Sequence, residues 1–111
     1  IRLDIMPSAI FTYPEAGSVG STEAELKEQG VEYTVHKNFF RANGKALSID
    51  ETEGMLKLIA DKDDKIISCH IFGPHSADIV QEVTALMNSD CTVSKLKDII
   101  HIHPTLGEIL I

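Results

Sequence analysis

The stretch MLKLIADKDDKIISCHIF, from Met55 to Phe72, decides the fold of this 111-residue chain. It contains two apolar runs, Met55–Ala60 and Lys65–Phe72, which are joined by the charged segment Asp61–Asp64. Short apolar runs that end at polar turn formers are typical of buried β-strands. Because the connection is too short for a crossover, the two strands must pair antiparallel. The stretch therefore predicts a β-hairpin.

Three further elements are predicted upstream of this hairpin. Val31–Phe40 is rich in β-branched and aromatic residues and predicts a strand, and the Asn-Gly pair within Arg41–Lys45 predicts a tight turn after it. A Thr-x-x-Glu capping box predicts a helix over Glu23–Gln29, which a following glycine ends. Ala9–Phe11 predicts a short strand, and the turn formers that follow it as far as Gly20 predict loops.

Downstream of the hairpin the apolar residues change to helical spacing. After Gly73-Pro74 one face of a helix carries Ile79, Val80, Val83, Leu86 and Met87. A second helix is predicted over Val93–Ile100. The order strand, helix, three strands, helix, helix predicts an α+β fold, in which an antiparallel sheet of about four to five strands is covered by helices on one face. The other face of the sheet is then available to a partner.

Length and composition set the domain organisation. The 111 residues, 43% of them hydrophobic, predict a single domain over residues 1–111. A domain of this size has little area for both a core and a private active site, so we expect a site that is shared with another chain. The first residue is not Met and the apolar Ile109–Ile111 carry no helix stop signal, so we expect a piece of a longer protein.

The charge and the cysteines restrict the partners and the compartment. Seventeen acidic and ten basic residues give a net charge of −7, which excludes nucleic acid and membrane surfaces as partners and favours basic ones. No apolar run approaches the roughly 20 residues that span a bilayer, and Ile1–Asp4 lacks the pattern of a signal peptide. Cys69 and Cys91 form no close motif, so neither a disulfide scaffold nor a structural zinc site is predicted, and a cytoplasmic location is favoured.

The side chains that could carry chemistry cluster near the end of the chain: His101, His103, Pro104, Thr105 and Glu108. Imidazole titrates near neutral pH, and a carboxylate that fixes its tautomer makes it a general acid or base. His103 and Glu108 are the candidate catalytic pair. Thr105–Glu108 is also a capping box, in which Glu108 would serve a helix start. The two interpretations are compatible, because a carboxylate has two oxygens.

Two other kinds of site were weighed against this pair. His101-x-His103 places two imidazoles on one side of an extended segment, but no third ligand stands at a characteristic spacing, so no metal site is predicted. Neither Gly17–Gly20 nor Asn43-Gly44 has the glycine fingerprint of a dinucleotide loop, so no cofactor-binding residue is predicted. His36 and His70 lie within predicted strands, where a histidine with satisfied hydrogen bonds or a surface histidine is the default.

Seven short motifs occur along the chain in this order: Thr12–Glu15, Val19-Gly20, Thr22–Leu26, Phe40–Ala46, Glu53–Lys57, His70–Gly73 and His101–Glu108. Together they resemble the C-terminal dimerisation domain of the pyridine nucleotide-disulfide oxidoreductases, over nearly the whole chain. The last motif is the most specific. His101 within it favours the dihydrolipoamide dehydrogenase branch over glutathione-reductase relatives, which usually lack this earlier histidine.

The resemblance implies a function that the composition does not. In that family FAD, NAD and a redox disulfide belong to upstream domains, which this chain lacks, and the dimerisation domain of a homodimer lends its His-Glu pair to the partner's active site. The resemblance implies that His103 is the acid-base for dihydrolipoamide, that Glu108 orients it, and that His103-Pro104 approaches the partner's flavin through a cis bond. It also implies docking to the basic subunit-binding domain of a 2-oxo acid dehydrogenase acyltransferase core.

Alternatives remain at this stage. The chain could be the same domain of another disulfide reductase, similar to glutathione reductase, or a non-catalytic interaction module. Gly107 departs from the family pattern, which commonly has Ser there, and a glycine lowers helix propensity by up to about 1 kcal/mol. This departure from the family pattern concerns the residue beside Glu108 and not His103.

Overall fold

The computed structural model describes residues 1–111 and contains one five-stranded sheet in the order β1-β2-β5-β4-β3, in which all neighbouring strands are antiparallel. The strands are β1 Ser8–Ile10, β2 Ala16–Gly20, β3 Tyr33–Phe39, β4 Met55–Asp61 and β5 Ile66–Phe72. The helices are α1 Glu23–Glu28, α2 Gly44–Ser48, α3 Ser76–Asn88 and α4 Val93–Asp98, together with the 3₁₀ helices Phe40–Ala42 and Leu106–Leu110. The predicted α+β class and the strand number are confirmed.

The hairpin predicted from Met55–Phe72 is present as β4 and β5, at the centre of the sheet. Its turn is built by Asp61, whose carboxylate accepts hydrogen bonds from the backbone N–H groups of Asp63 at 2.9 Å and Lys65 at 3.0 Å. Asp64 has a φ of 67°, a left-handed backbone conformation that aspartate tolerates better than most residues. The charged connection between the strands is therefore stabilised as a turn by hydrogen bonds to the Asp61 side chain.

The helices α1, α3 and α4 lie where their sequence signals predict them. Thr22 and Glu25 form the capping box of α1, and Gly30 follows its end with a φ of 70°. The side chain of Thr92 accepts a hydrogen bond from Lys95 N–H and caps α4, which ends at Asp98, two residues before the predicted end. Helix α3 has the predicted apolar face.

Two segments differ from the prediction. Ala16–Gly20 was predicted as loop but is the strand β2, which pairs on both sides. A Cβ atom at Gly17 would lie 3.0 Å from Val80 Cγ1, so glycine serves the close approach of α3 to this strand rather than a turn. Asn43-Gly44 was predicted as a tight turn but begins α2, because the Asn43 side chain accepts the hydrogen bond of an N-cap.

The hydrophobic core lies between the sheet and α3 and α4. It is one cluster of 19 buried residues, to which Phe40, Leu56, Leu58, Val80 and Val83 belong. The opposite face of the sheet is partly covered by α1, since Glu23 of α1 forms an ion pair with Lys57 of β4. Helices α3 and α4 therefore lie on one face, whereas α1 adds a contact on the face that was expected to be uncovered.

Candidate functional site

The candidate site lies on the segment that links α4 to the 3₁₀ helix Leu106–Leu110. This segment contains a cis peptide bond between His103 and Pro104. The hydroxyl of Thr105 donates a hydrogen bond to the carbonyl oxygen of Ile102 at 2.7 Å, which closes a tight bend around the cis bond. The bend brings the side chains of His103 and Glu108 to the same side of the chain.

His103 and Glu108 form a hydrogen-bonded pair. His103 Nδ1 lies 2.9 Å from Glu108 Oε1 and 3.1 Å from Oε2. The same Oε1 accepts a hydrogen bond from the backbone N–H of Thr105 at 3.0 Å. Glu108 therefore contacts both the backbone at the start of the 3₁₀ helix and the imidazole of His103.

The electrostatics of the pair follow from these contacts. The backbone N–H of Thr105, with a smaller contribution from His103, holds the pKa of Glu108 below its usual value. A carboxylate whose folded-state pKa is lowered stabilises the fold above its ordinary pKa, and this contribution is lost as the pH falls through the lowered value. Glu108 therefore remains an anion beside His103 at neutral pH.

The arrangement is suited to proton transfer. Both atoms that face His103 Nδ1 are carboxylate oxygens, so Nδ1 carries the proton and Nε2 of the neutral ring has a free lone pair. The side chain of His103 is 75% exposed, whereas that of Glu108 is 24% exposed. The imidazole of His103 therefore faces solvent, and the carboxylate to which it is hydrogen-bonded is mostly covered by the protein.

The fold and this geometry can be compared with known proteins. The family model of the pyridine nucleotide-disulphide oxidoreductase dimerisation domain matches residues 6–111. The chain belongs to this family. It is similar to dihydrolipoyl dehydrogenase 2, mitochondrial, of Arabidopsis thaliana, with 42% identity over 109 residues, which cover 97% of this chain and 22% of that protein. The resemblance inferred from the seven motifs is confirmed.

Two further relatives support the same family. Dihydrolipoyl dehydrogenase of Bacillus subtilis (strain 168) is 42% identical over 105 residues, which cover 94% of the dimerisation domain and 22% of that protein. The HOCl-induced flavoprotein disulfide reductase RclA from Escherichia coli has the same fold, with a TM-score of 0.90 and 27% identity over 96% of this chain and 25% of that one. The dimerisation domain thus spans about a fifth of the length of the curated relatives it matches.

Two other histidines, His70 and His101, contact groups outside the His103–Glu108 pair. His70 bonds the Ser18 hydroxyl through Nδ1 at 2.6 Å and the carbonyl oxygen of Ser21 through Nε2 at 3.0 Å, as expected for a structural histidine. His101 lies 3.4 Å from Glu82 of α3, so its ring and that of His103 contact different carboxylates. No group of three or more His, Cys, Asp or Glu side chains is arranged to hold a metal ion.

The cysteines are both reduced and buried in the dimerisation domain. Burial raises the pKa of the Cys69 thiol to about 12, so this thiol is a small apolar group of the core rather than a nucleophile. No helix of the chain is both long and apolar enough to span a membrane.

The sequence did not single out the residues that surround the pair. A cavity of about 290 Å³ lies beside His103 and Glu108, and Asn38, Phe39 and Asn43 contribute to its wall. Asn38 Nδ2 donates a hydrogen bond to the carbonyl oxygen of Ile109 at 2.7 Å, which attaches the 3₁₀ helix to β3. Asn43 carried a signal in the sequence, the Asn-Gly pair, but this signal was assigned to a turn.

Proposed function

We propose that residues 1–111 form the C-terminal dimerisation domain of a dihydrolipoyl dehydrogenase that uses FAD and NAD, both held by upstream domains. The observation that supports this most directly is the exposed His103–Glu108 pair, on a domain whose curated relatives at about 40% identity include several dihydrolipoyl dehydrogenases.

In the proposed mechanism His103 is the acid-base of the thiol chemistry. Its Nε2 accepts a proton from a thiol of dihydrolipoamide, and the resulting thiolate attacks one sulfur of the redox disulfide on the partner subunit. This attack forms a mixed disulfide, breaks the S–S bond between the two cysteines and releases the other cysteine as a thiolate. Glu108 accepts a hydrogen bond from the Nδ1–H group of His103 and stabilises the imidazolium that forms. The flavin and the nicotinamide supply the onward transfer of the two electrons when they are bound.

The site is proposed to be shared between the two subunits of a homodimer. The imidazole is three-quarters exposed and is therefore not enclosed by this domain, although a cavity lies beside it, so the proposal assigns the rest of the site to a second surface. In the proposed assembly His103-Pro104 faces the flavin side of the partner's active site.

Assays of the intact protein with dihydrolipoamide and with glutathione disulfide test the substrate. The proposal requires turnover of dihydrolipoamide with NAD, and preferential reduction of glutathione disulfide would contradict it.

Replacement of Glu108 by Gln tests the electrostatic part of the mechanism. Gln can still accept the Thr105 N–H bond but carries no charge to stabilise the imidazolium, so we expect dihydrolipoamide turnover to fall about 10- to 100-fold while the fold is retained. Steady-state kinetics of the intact protein provide the measurement.

The chain offers a matched control for this variant. Glu25 occupies the same position in the capping box of α1, and its pKa is likewise lowered by a backbone hydrogen bond, from Thr22. Glu25→Gln should leave turnover unchanged. Equal turnover of Glu108→Gln and the wild type would assign Glu108 to capping alone.

The acidic surface supports a proposal about a partner. The net charge of −7 favours the basic subunit-binding domain of a 2-oxo acid dehydrogenase acyltransferase core. Binding of that isolated basic domain to the intact protein should weaken at least about tenfold between low and physiological ionic strength, as measured by titration calorimetry. Affinity that does not change with salt would refute an electrostatic docking surface.

A reducing compartment such as the cytoplasm suits the two free thiols, whereas the plant relatives are named as mitochondrial.

A further inference from the structure

Asn43 is the only amide among the buried polar side chains of the chain, with 7% of its surface exposed. It lies between the 3₁₀ helix Phe40–Ala42 and α2, on a connection between β3 and β4 that belongs to neither strand. A buried amide must find partners for both its donor and its acceptor groups, because a buried polar group without a hydrogen-bond partner destabilises the fold. The partners of Asn43 therefore show what this side chain holds together.

The two ends of the amide bind different parts of the chain. Oδ1 accepts a hydrogen bond from Ala46 N–H at 2.9 Å, which caps α2. Nδ2 donates to the carbonyl oxygen of Thr105 at 3.1 Å and approaches that of Leu106 at 3.4 Å. These carbonyls lie 62 and 63 positions further along the sequence, so the second set of bonds is not needed for capping.

Only an amide suits both sets of partners. A helix N-cap requires an acceptor, whereas two carbonyl oxygens require a donor. Aspartate at this position would keep the acceptor but would turn a carboxylate oxygen toward the carbonyls. Serine would cap α2 but is too short to reach Thr105 and Leu106.

The carbonyls that Asn43 holds belong to the segment that positions the catalytic pair. Thr105 supplies the backbone N–H that binds Glu108 Oε1, and the same oxygen faces His103 Nδ1. The first residue of α2, Gly44, also lies beside the imidazole, since a Cβ atom there would be 3.7 Å from His103 Cε1. Asn43 thus fixes the backbone on one side of the pair and caps the helix that lies against the ring.

We propose that Asn43 is a positioning residue for the His103–Glu108 pair and acts through the backbone of Thr105 and Leu106. The inference rests on the proposed function, because it assigns Asn43 to the same site. It predicts that loss of the Nδ2 donor lowers kcat with little change in KM, and that this loss has no further effect once Glu108 no longer carries its charge.

The experiment uses Asn43→Ser, which keeps the cap of α2, and Asn43→Asp, which keeps the acceptor and removes the donor. In the intact protein we expect kcat for dihydrolipoamide to fall at least tenfold in both variants, with KM changed less than about threefold. Oxidation of NADH by an artificial one-electron acceptor should be unchanged, because it needs no proton transfer at His103. Asn88→Asp is the matched control, since Asn88 Nδ2 donates to the carbonyl oxygen of Thr84 away from the site.

A double-mutant cycle separates positioning from general stabilisation. Asn43→Ser in the Glu108→Gln background should have the turnover of Glu108→Gln alone, within about twofold, because the two residues act in series. Wild-type kcat in Asn43→Ser, or effects that multiply in the double variant, would overturn the inference. So would loss of flavin or of the dimer in both Asn43 variants, which would assign Asn43 to folding. Retained turnover in His103→Gln would instead overturn the proposed function itself.

Discussion

Replacement of His103 by Gln in the intact protein is expected to lower dihydrolipoamide turnover by about 10²- to 10⁴-fold, the usual contribution of a general acid-base. Gln fills a similar volume and can donate to the Glu108 carboxylate, but it cannot accept a proton from a thiol at neutral pH. Because the imidazole is exposed at the surface, no core contact is lost. The flavin spectrum and the midpoint of thermal unfolding should therefore stay close to those of the wild type.

A complementation experiment tests whether the pair serves the partner subunit. Subunits with His103→Gln are mixed with subunits in which a cysteine of the redox disulfide is replaced, and the dimers are dissociated and reassembled. Each parent is inactive, but a mixed dimer contains one site with an intact disulfide from one subunit and an intact His103 from the other. A random equimolar mixture should regain about a quarter of the wild-type activity. No recovery from mixtures that contain mixed dimers would contradict a shared site.

Phe40→Ala is expected to destabilise the 111-residue chain by about 3–5 kcal/mol, which is typical of removing a buried aromatic side chain. Phe40 has no exposed surface and belongs to the central core cluster. Its ring lies against Gly73, where an added Cβ atom would come within 2.4 Å of Phe40 Cε2. Truncation therefore leaves a cavity that neither the rigid sheet nor the helices can close completely.

Urea unfolding followed by circular dichroism measures this loss. Phe11→Ala is the control, because Phe11 is 77% exposed and its truncation should change the free energy of unfolding by less than about 1 kcal/mol. A loss below about 1 kcal/mol for Phe40→Ala would show that Phe40 does not hold the core as the structure describes.

The elements with strong local signals were predicted from the sequence. The hairpin of β4 and β5 has a continuous apolar pattern on both sides of an acidic turn, and α3 has an apolar face at helical spacing. Strand β2 has neither, because its glycines lower strand propensity, and its two neighbouring strands supply the pairing instead. One of these neighbours, β5, is distant in the sequence, so a local pattern does not reveal that pairing.

The site was predictable only in part, for the same reason. His103 and Glu108 are five positions apart, and their residue types indicate an acid-base pair. The bond from Asn43 to Thr105 joins residues that are 62 positions apart, and the local Asn-Gly signal of Asn43 fits a turn as well as a helix cap. To choose between the turn and the helix cap, one must know where the segment around Thr105 lies, and no local sequence pattern gives that position.

The attachment of the 3₁₀ helix to β3 by Asn38 has a consequence for protein engineering. A chimera that received only residues 101–111 from a relative would acquire the histidine and the glutamate without the amides that hold their backbone. The site therefore consists of two segments that are separate in the sequence. Asn38–Ala46 must be exchanged together with residues 101–111. Whether a graft of this site between homologues is active should depend on transferring both segments together, more than on the overall sequence identity of donor and acceptor.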